Sequence, residues 1–313
     1  MSGGLLCGYG GAFVDIVITV SDEELRECAP GVPKGTVCRL EAAAQQSLLA
    51  RFAGERQIMT AGGSCANTLR SYARQGGAAR LMAAVGSDEA ASFFAAAMER
   101  DGVELWPLQV HGAATDCCVA LVTPDGERTM FPVLSAGGAV KPQQLSARML
   151  EEAQWLHIEG YALRYLPVWT RCLELCAAQK VPYSVDAADC SIATPHRARL
   201  MQTETEAPQF RWLFANAAEA RCLCPAGEWP ADRPAVVTAG AGGATGYCRG
   251  LRVHCAAMPL ERVVDSVGAG DNFIGGFLRE WLRFSGGAEE EQLAAALRTG
   301  CRQAAQCLQR AGA

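Results

Sequence analysis

Asp265-Ser266-Val267-Gly268-Ala269-Gly270-Asp271-Asn272-Phe273, continued by Ile274-Gly275-Gly276-Phe277-Leu278, is the stretch on which the reading of this chain turns. It follows the apolar, β-branched pair Val263-Val264 and leads into an amphipathic run, so it reads as strand, tight loop and helix N-terminus. The unpaired N–H groups of such a terminus favour an anion. Gly268 and Gly270 permit positive φ and close approach of a phosphate to the backbone, with Ala269 between them. Asp271 lies at the lip of that anion hole, where an acid ordinarily repels the ligand. Two readings of it stand: a helix N-cap, or a base that takes the proton from a hydroxyl attacking phosphorus.

The remainder of the chain bears on that choice. Its 313 residues are half apolar and 19% charged, the composition of a compact globular protein. The formal charge is −5 with no long basic run, which gives no electrostatic reason to expect nucleic acid or an anionic membrane. Fifteen cysteines, an odd number scattered through apparent strands and helices, lack zinc-type spacing and read as buried, reduced hydrophobes. The first residues carry neither a basic region nor a full apolar segment of a signal peptide, and the Ala-rich runs are cut by charges. A cytoplasmic protein is the expectation.

Residues 5–20 read as two short strands broken by Gly8, Gly10 and Gly11, with Asp15 between Val14 and Ile16 in the second. An acid in an apolar strand just after glycines is either a binding group or an outward-facing residue. Ala61-Gly62-Gly63-Ser64-Cys65-Ala66-Asn67-Thr68 opens a helix; the glycines allow close backbone approach, and Ser64 and Asn67 can hydrogen-bond hydroxyls. Strands follow at 79–85, around 105 and at 117–123; the last is joined to 130–133 by Thr123-Pro124-Asp125-Gly126, a hairpin with Arg128 just past its turn. The later half alternates strands at 155–158, 183–186, 212–215, 235–238 and 244–248 with helices at 166–179, 217–223, 271–283 and 289–308. Alternation of this kind predicts an α/β fold with a largely parallel sheet. Ligands in such sheets bind beyond the carboxyl ends of the strands, where Asn216 and Glu219 follow Phe214, and Gly240 and Gly243 follow Thr238. Neither Gly8-Tyr9-Gly10-Gly11 nor Gly240-Ala241-Gly242-Gly243 fits a dinucleotide fingerprint, and no P-loop occurs.

Taken together, the motifs resemble the ribokinase, or PfkB, family of small-molecule kinases. The resemblance rests on 265–276, on Gly62-Gly63 with Asn67, and on Asn216-Ala217-Ala218-Glu219, an Asn-x-x-Glu element. Within it the chain is similar to the adenosine kinase branch, through Gly8-Tyr9-Gly10, Asp15-Ile16 and His157-Ile158-Glu159-Gly160-Tyr161. The resemblance implies a single ribokinase-like domain over 1–313, a three-layer sandwich with a small β lid drawn from about 14–40 and 105–133. It implies phosphoryl transfer from ATP to the 5′-hydroxyl of adenosine. Asp271 would be the base, with Gly268, Ala269, Gly270 and Arg128 at the phosphates. Asp15, Gly62, Gly63, Ser64 and Asn67 would hold the acceptor, with Phe13 stacked on a base or simply core. Asn216, Glu219, Thr238, Gly240 and Gly243 would line the ATP side. Glu219 would place Mg²⁺ through water, and a monovalent cation such as K⁺ would lie near Asp265 and Val267.

Against the adenosine pattern, Gly11 stands where that branch usually has Asn, which leaves another nucleoside or a free sugar open as acceptor. A non-catalytic sensor on the same fold is the alternative of a different class. A monomer is favoured over a lid-mediated dimer, with no nucleic acid or membrane partner.

Overall fold

The computed structural model describes residues 3–54, 57–202, 206–227, 229–230, 233–284 and 288–310. Among these residues thirteen strands form two sheets: β1 (Gly3–Gly11), β2 (Phe13–Thr19), β3 (Gln57–Gly62), β4 (Gly77–Val85), β5 (Val103–Gln109), β6 (Asp116–Val122) and β7 (Arg128–Val133), then β8 (Ala153–Glu159), β9 (Tyr183–Asp186), β10 (Phe210–Asn216), β11 (Ala235–Thr238), β12 (Ala244–Cys248) and β13 (Leu251–Cys255). The large sheet has the order β13-β12-β11-β10-β9-β8-β1-β4-β5, and its pairings are parallel from β11 to β5. The hairpin β12–β13 closes the β11 end antiparallel.

Successive side chains of a strand point to opposite faces, and this places the core on both sides of the sheet. Leu6, Trp212 and Phe214 pack under the helices Ser64–Arg74, Ala269–Arg283 and Glu289–Leu308. Their neighbours Cys7, Leu213 and Ala215 pack against the helix Leu166–Gln179 on the other face. The result is the three-layer α/β sandwich expected from the alternating pattern.

One helix fixes the motif from which the sequence was read. In Ala269–Arg283, Phe273, Ile274, Phe277 and Leu278 fall on one buried stripe. Phe277 meets Trp212 and Phe214 edge-on, at ring-centroid distances of 5.2 and 5.3 Å. A Cβ on Gly275 would lie 2.5 Å from the Thr68 carbonyl oxygen, so glycine sets how closely this helix packs on Ser64–Arg74.

The small sheet has the order β3-β2-β6-β7. Two expectations change here. The strand near residue 105 was expected in the lid, but β5 is the parallel edge of the large sheet beside β4; Pro107 is tolerated because an edge strand has an unpaired side. Its place in the small sheet is taken by β3, antiparallel to β2. The strand expected before the 265–276 motif is also absent. Val263 and Val264 are 54% and 51% exposed and find no sheet partner; the Val264 N–H instead donates to the Leu308 carbonyl.

From β1 the chain steps outward through β4 to β5, and from β8 it steps the other way through β9 to β11. The order therefore reverses between β1 and β8, and the crevice beyond their carboxyl ends is where an open α/β sheet binds its ligand.

Candidate active site

A cavity of about 260 Å³ opens at the carboxyl ends of the strands, lined among others by Ser64, Asp186, Glu219, Thr238, Gly270 and Asp271. The helix Ala269–Arg283 starts at Gly268, whose φ of 73° is left-handed and suits glycine. Gly268, not Asp271, is thus the N-cap, and the Asp271 side chain is free for another use. Its Oδ1 accepts from the Ser64 hydroxyl at 2.7 Å and its Oδ2 from the Asn67 amide at 3.0 Å. The base candidate and the glycine loop found 200 residues apart in sequence are therefore one constellation.

A carboxylate beside a helix N-terminus is expected to be a strong acid. The geometry overturns that expectation for Asp271. Burial pushes it up to about 7, opposed by the Asn67 and Ser64 hydrogen bonds and reinforced by Asp186. Such a group is ionised at neutral pH only in part, yet its proton affinity suits a base operating there.

Asp186 was not among the expected site residues. It ends β9, and its Oδ2 lies 3.2 Å from the same Ser64 hydroxyl, with burial raising it to about 6. Its signal was in the sequence: an acid at the carboxyl end of an expected strand of a parallel sheet. Glu159 at the end of β8 was quoted only as part of a longer match, and it too is a buried carboxyl raised to about 7 by desolvation.

Asn216 caps the helix Ala217–Leu223, and its own N–H donates to Glu219 Oε2 at 2.7 Å, a reciprocal capping box. Glu219 is 5% exposed and raised to about 7 by burial, with Asp186 and Asp189 adding to the shift. Carboxylate oxygens from Asp186, Glu219 and Asp271 around one cavity are the hard donors that Mg²⁺ takes, and their raised proton affinities mark an excess of negative charge that a cation relieves. Among the described residues no three His, Cys, Asp or Glu side chains could hold a metal by themselves. The donor set fits an ion that keeps several waters, and Glu219 is among the residues that could hold it.

The other expected residues fall in separate places. Thr238 lines the cavity, whereas Gly240 lies in the exposed turn Gly240–Gly242. Gly243 is required by packing: at φ 84° its Cβ would be 2.1 Å from the Cys255 carbonyl oxygen. Asp15 is half-buried on β2, raised to about 6 by burial against the opposing pull of Arg128, and its carboxylate covers Gly62, where a Cβ would come within 2.2 Å of Oδ2. Phe13 pairs with Gly62 across the small sheet, and its ring covers Gly11. Arg128 pairs with Asp265 at 2.6 Å, tying β7 to the segment before the anion loop. Asp265 also accepts from the Val267 N–H, and the Val267 carbonyl accepts from the Cys307 thiol. The groups expected to hold a monovalent cation are therefore already engaged with protein partners.

Five carboxyls with raised proton affinity — Asp15, Glu159, Asp186, Glu219 and Asp271 — make a prediction for stability. Each binds its proton more tightly in the folded than in the unfolded chain, so each contributes stability that is fully present below about pH 4 and is lost as pH rises through 6–7. The melting temperature of the ligand-free protein should be lower at pH 8.0 than at pH 5.5. Calorimetry showing equal or higher stability at pH 8.0 would contradict these shifts.

Comparison with known proteins agrees with this geometry. Aminoimidazole riboside kinase of Salmonella typhimurium is 25% identical over 240 residues, covering 69% of this chain and 72% of the relative. Adenosine kinase 2 of Arabidopsis thaliana is 23% identical over 345 residues, covering 99% and 95%. The crystal structure of adenosine kinase from Sinorhizobium meliloti superposes with a TM-score of 0.82 at 24% identity, covering 99% of this chain and 95% of that one. A family model for pfkB family carbohydrate kinases matches residues 50–313, the part that carries the glycine loop, the Asn-x-x-Glu element and Asp271. The chain belongs to the pfkB family of carbohydrate kinases, phosphotransferases that act on an alcohol group and whose acceptors are sugars or nucleosides.

Proposed function

We propose that this protein is an ATP- and Mg²⁺-dependent nucleoside kinase that phosphorylates the 5′-hydroxyl of adenosine, giving AMP and ADP. The observation that carries the reading is the Asp271 carboxylate, held by Ser64 and Asn67 beside the backbone amides at the start of the Ala269–Arg283 helix. Asp15 accepts hydrogen bonds from ribose hydroxyls, and Gly62 and Gly63 bring the backbone close to the same ring. Asp271 takes the 5′-hydroxyl proton as that oxygen attacks. The N–H groups of Gly268, Ala269 and Gly270 receive the charge on the moving phosphoryl group. Asn216, Glu219 and Thr238 line the donor side, and Mg²⁺, when bound there, supplies charge neutralisation on the phosphates. On this reading Arg128 leaves Asp265 for the phosphates when donor binds.

A riboside acceptor is favoured by the names of the relatives, one an adenosine kinase and one an aminoimidazole riboside kinase. A free sugar is the second reading, favoured by Gly11 and by the Phe13 ring over it, which leave no side-chain amide there for a nucleobase. The test is ADP release from Mg-ATP with adenosine, inosine, guanosine, cytidine, ribose and fructose 6-phosphate. Adenosine should exceed the rest in kcat/KM by about a hundredfold or more, the discrimination that pocket contacts supply without a dedicated hydrogen bond to the base. A preference for ribose or another nucleoside keeps the mechanism and replaces the substrate; no turnover with any acceptor returns the non-catalytic sensor.

A further inference from the structure

The switch point of the sheet holds a carboxylate for which the phosphoryl-transfer reading has no use. Glu159 is 6% exposed, yet among the described residues no lysine or arginine bonds it. Its hydrogen bonds come from two backbone N–H groups that belong to different elements, the end of β1 and the first turn of the helix Ser64–Arg74: Gly11 donates to Oε1 at 2.8 Å, and Cys65 donates to Oε2 at 3.2 Å. A buried carboxylate without a cation is costly, and an apolar residue of similar volume would commonly serve stability better. Its presence at this position calls for a role other than packing.

These two elements lead into the two arms of the acceptor side. Gly11 leads through Ala12 into β2, which carries Phe13 and Asp15. Cys65 follows Ser64, whose hydroxyl holds Asp271. Between the arms there is no space to spare. A Cβ on Gly63 would lie 2.2 Å from the Gly11 carbonyl oxygen, and a Cβ on Gly10 would lie 2.5 Å from Glu159 Oε2. Each arm therefore lies against the other and against the same carboxylate.

We propose that Glu159 is a positioning residue that sets the distance between the acceptor-binding arm of β2 and the Ser64–Asp271 arm, so that one buried carboxylate holds both halves of the acceptor site in register. The proposal rests on the kinase reading only for what binds there; the clamp itself is a statement about two backbone amides. A carboxylate accepts from both amides at once. An amide side chain accepts from one and turns an N–H toward the other, so Glu159→Gln keeps the size and removes one hold. The donor side, built on β10 and β11, shares no hydrogen bond with Glu159 and should not register the change.

Two measurements on Glu159→Gln test this. Hydrogen exchange should accelerate about tenfold, the effect of losing one charge-assisted hydrogen bond, in peptides covering 8–15 and 61–67 and not in those covering 235–248. With adenosine as acceptor, KM should rise by about tenfold or more while KM for Mg-ATP stays within about twofold. Unchanged exchange at both arms would overturn the clamp, whatever the protein phosphorylates. Faster exchange with an unchanged acceptor KM would overturn the positioning role, and a general acceleration with both KM values raised would make Glu159 an ordinary support of the fold. If the wild-type protein turns over none of the acceptors, the kinase reading fails separately, and the exchange measurement still decides the clamp.

Discussion

Asp271→Asn should lower kcat by about 10²–10⁴-fold, the range that a positioned general base contributes. The change is nearly isosteric and leaves the surroundings satisfied. The new amide oxygen can accept from Asn67, and the Ser64 hydroxyl can accept from the amide while donating to Asp186, 3.2 Å away. Folding should therefore survive, and removal of a carboxyl whose proton affinity is raised to about 7 should lessen the loss of stability at alkaline pH. Acceptor affinity, measured by calorimetric titration, should change by less than about tenfold, the scale of one hydrogen bond. In the wild type, kcat/KM should fall on the acid side with an apparent pKa near that of Asp271, because only the ionised form takes a proton. Neighbouring Asp186 and Glu159 titrate in the same range, so the limb describes the cluster as well as the base. A kcat that survives Asp271→Asn would remove the general base from the mechanism.

Asp15→Ala should act on binding and not on chemistry. The carboxylate projects from β2 over Gly62, and among the described residues no side chain or backbone group hydrogen-bonds it. Two charge-assisted hydrogen bonds to adjacent hydroxyls are worth about 3 kcal/mol or more together, so acceptor KM should rise by about a hundredfold or more. KM for Mg-ATP should hold, since the donor side is built on other strands. Equal increases in both KM values would show that Asp15 supports the fold of the small sheet and does not bind the acceptor.

Much of this architecture was legible because the later half of the chain is locally consistent. Helices Leu166–Gln179 and Glu289–Leu308 and strands Tyr183–Asp186 and Ala244–Cys248 begin and end where periodicity, glycine and proline place them. The misplacements have particular causes. β3 exposes Ile58 at 62% and Met59 at 43%, so its pattern does not alternate as a half-buried strand should. β13 does alternate, and Arg249-Gly250, both at positive φ, mark its hairpin turn; that signal was present and went unused. Which sheet receives β5 is a question of non-local pairing with β4, and no local pattern answers it.

The site divides in the same way. Asp271, Ser64, Asn67, Asn216 and Glu219 carried recognisable local context and meet at one cavity or beside it. Asp186 carried a positional signal alone. The work of Glu159 was illegible, because its partners are backbone groups 148 and 94 residues away and a backbone amide leaves no trace in residue type. The high proton affinity of Asp271 was hidden for a related reason: helix polarity can be read from sequence, whereas desolvation depends on what closes over the group.

The place of β1 at the middle of the large sheet has a consequence for biosynthesis. β1 is made before both of the strands that flank it in the finished protein, β4 and β8, and 148 residues separate Gly11 from Glu159. At about 5–20 residues per second, one side of β1 waits roughly 7–30 s for its partner after it has been made. Throughout that interval the nascent chain offers an unpaired, apolar edge to any other strand nearby. The crevice that serves the finished protein thus lies over the seam of β1 that waits longer for its partner, since β4 is made well before β8.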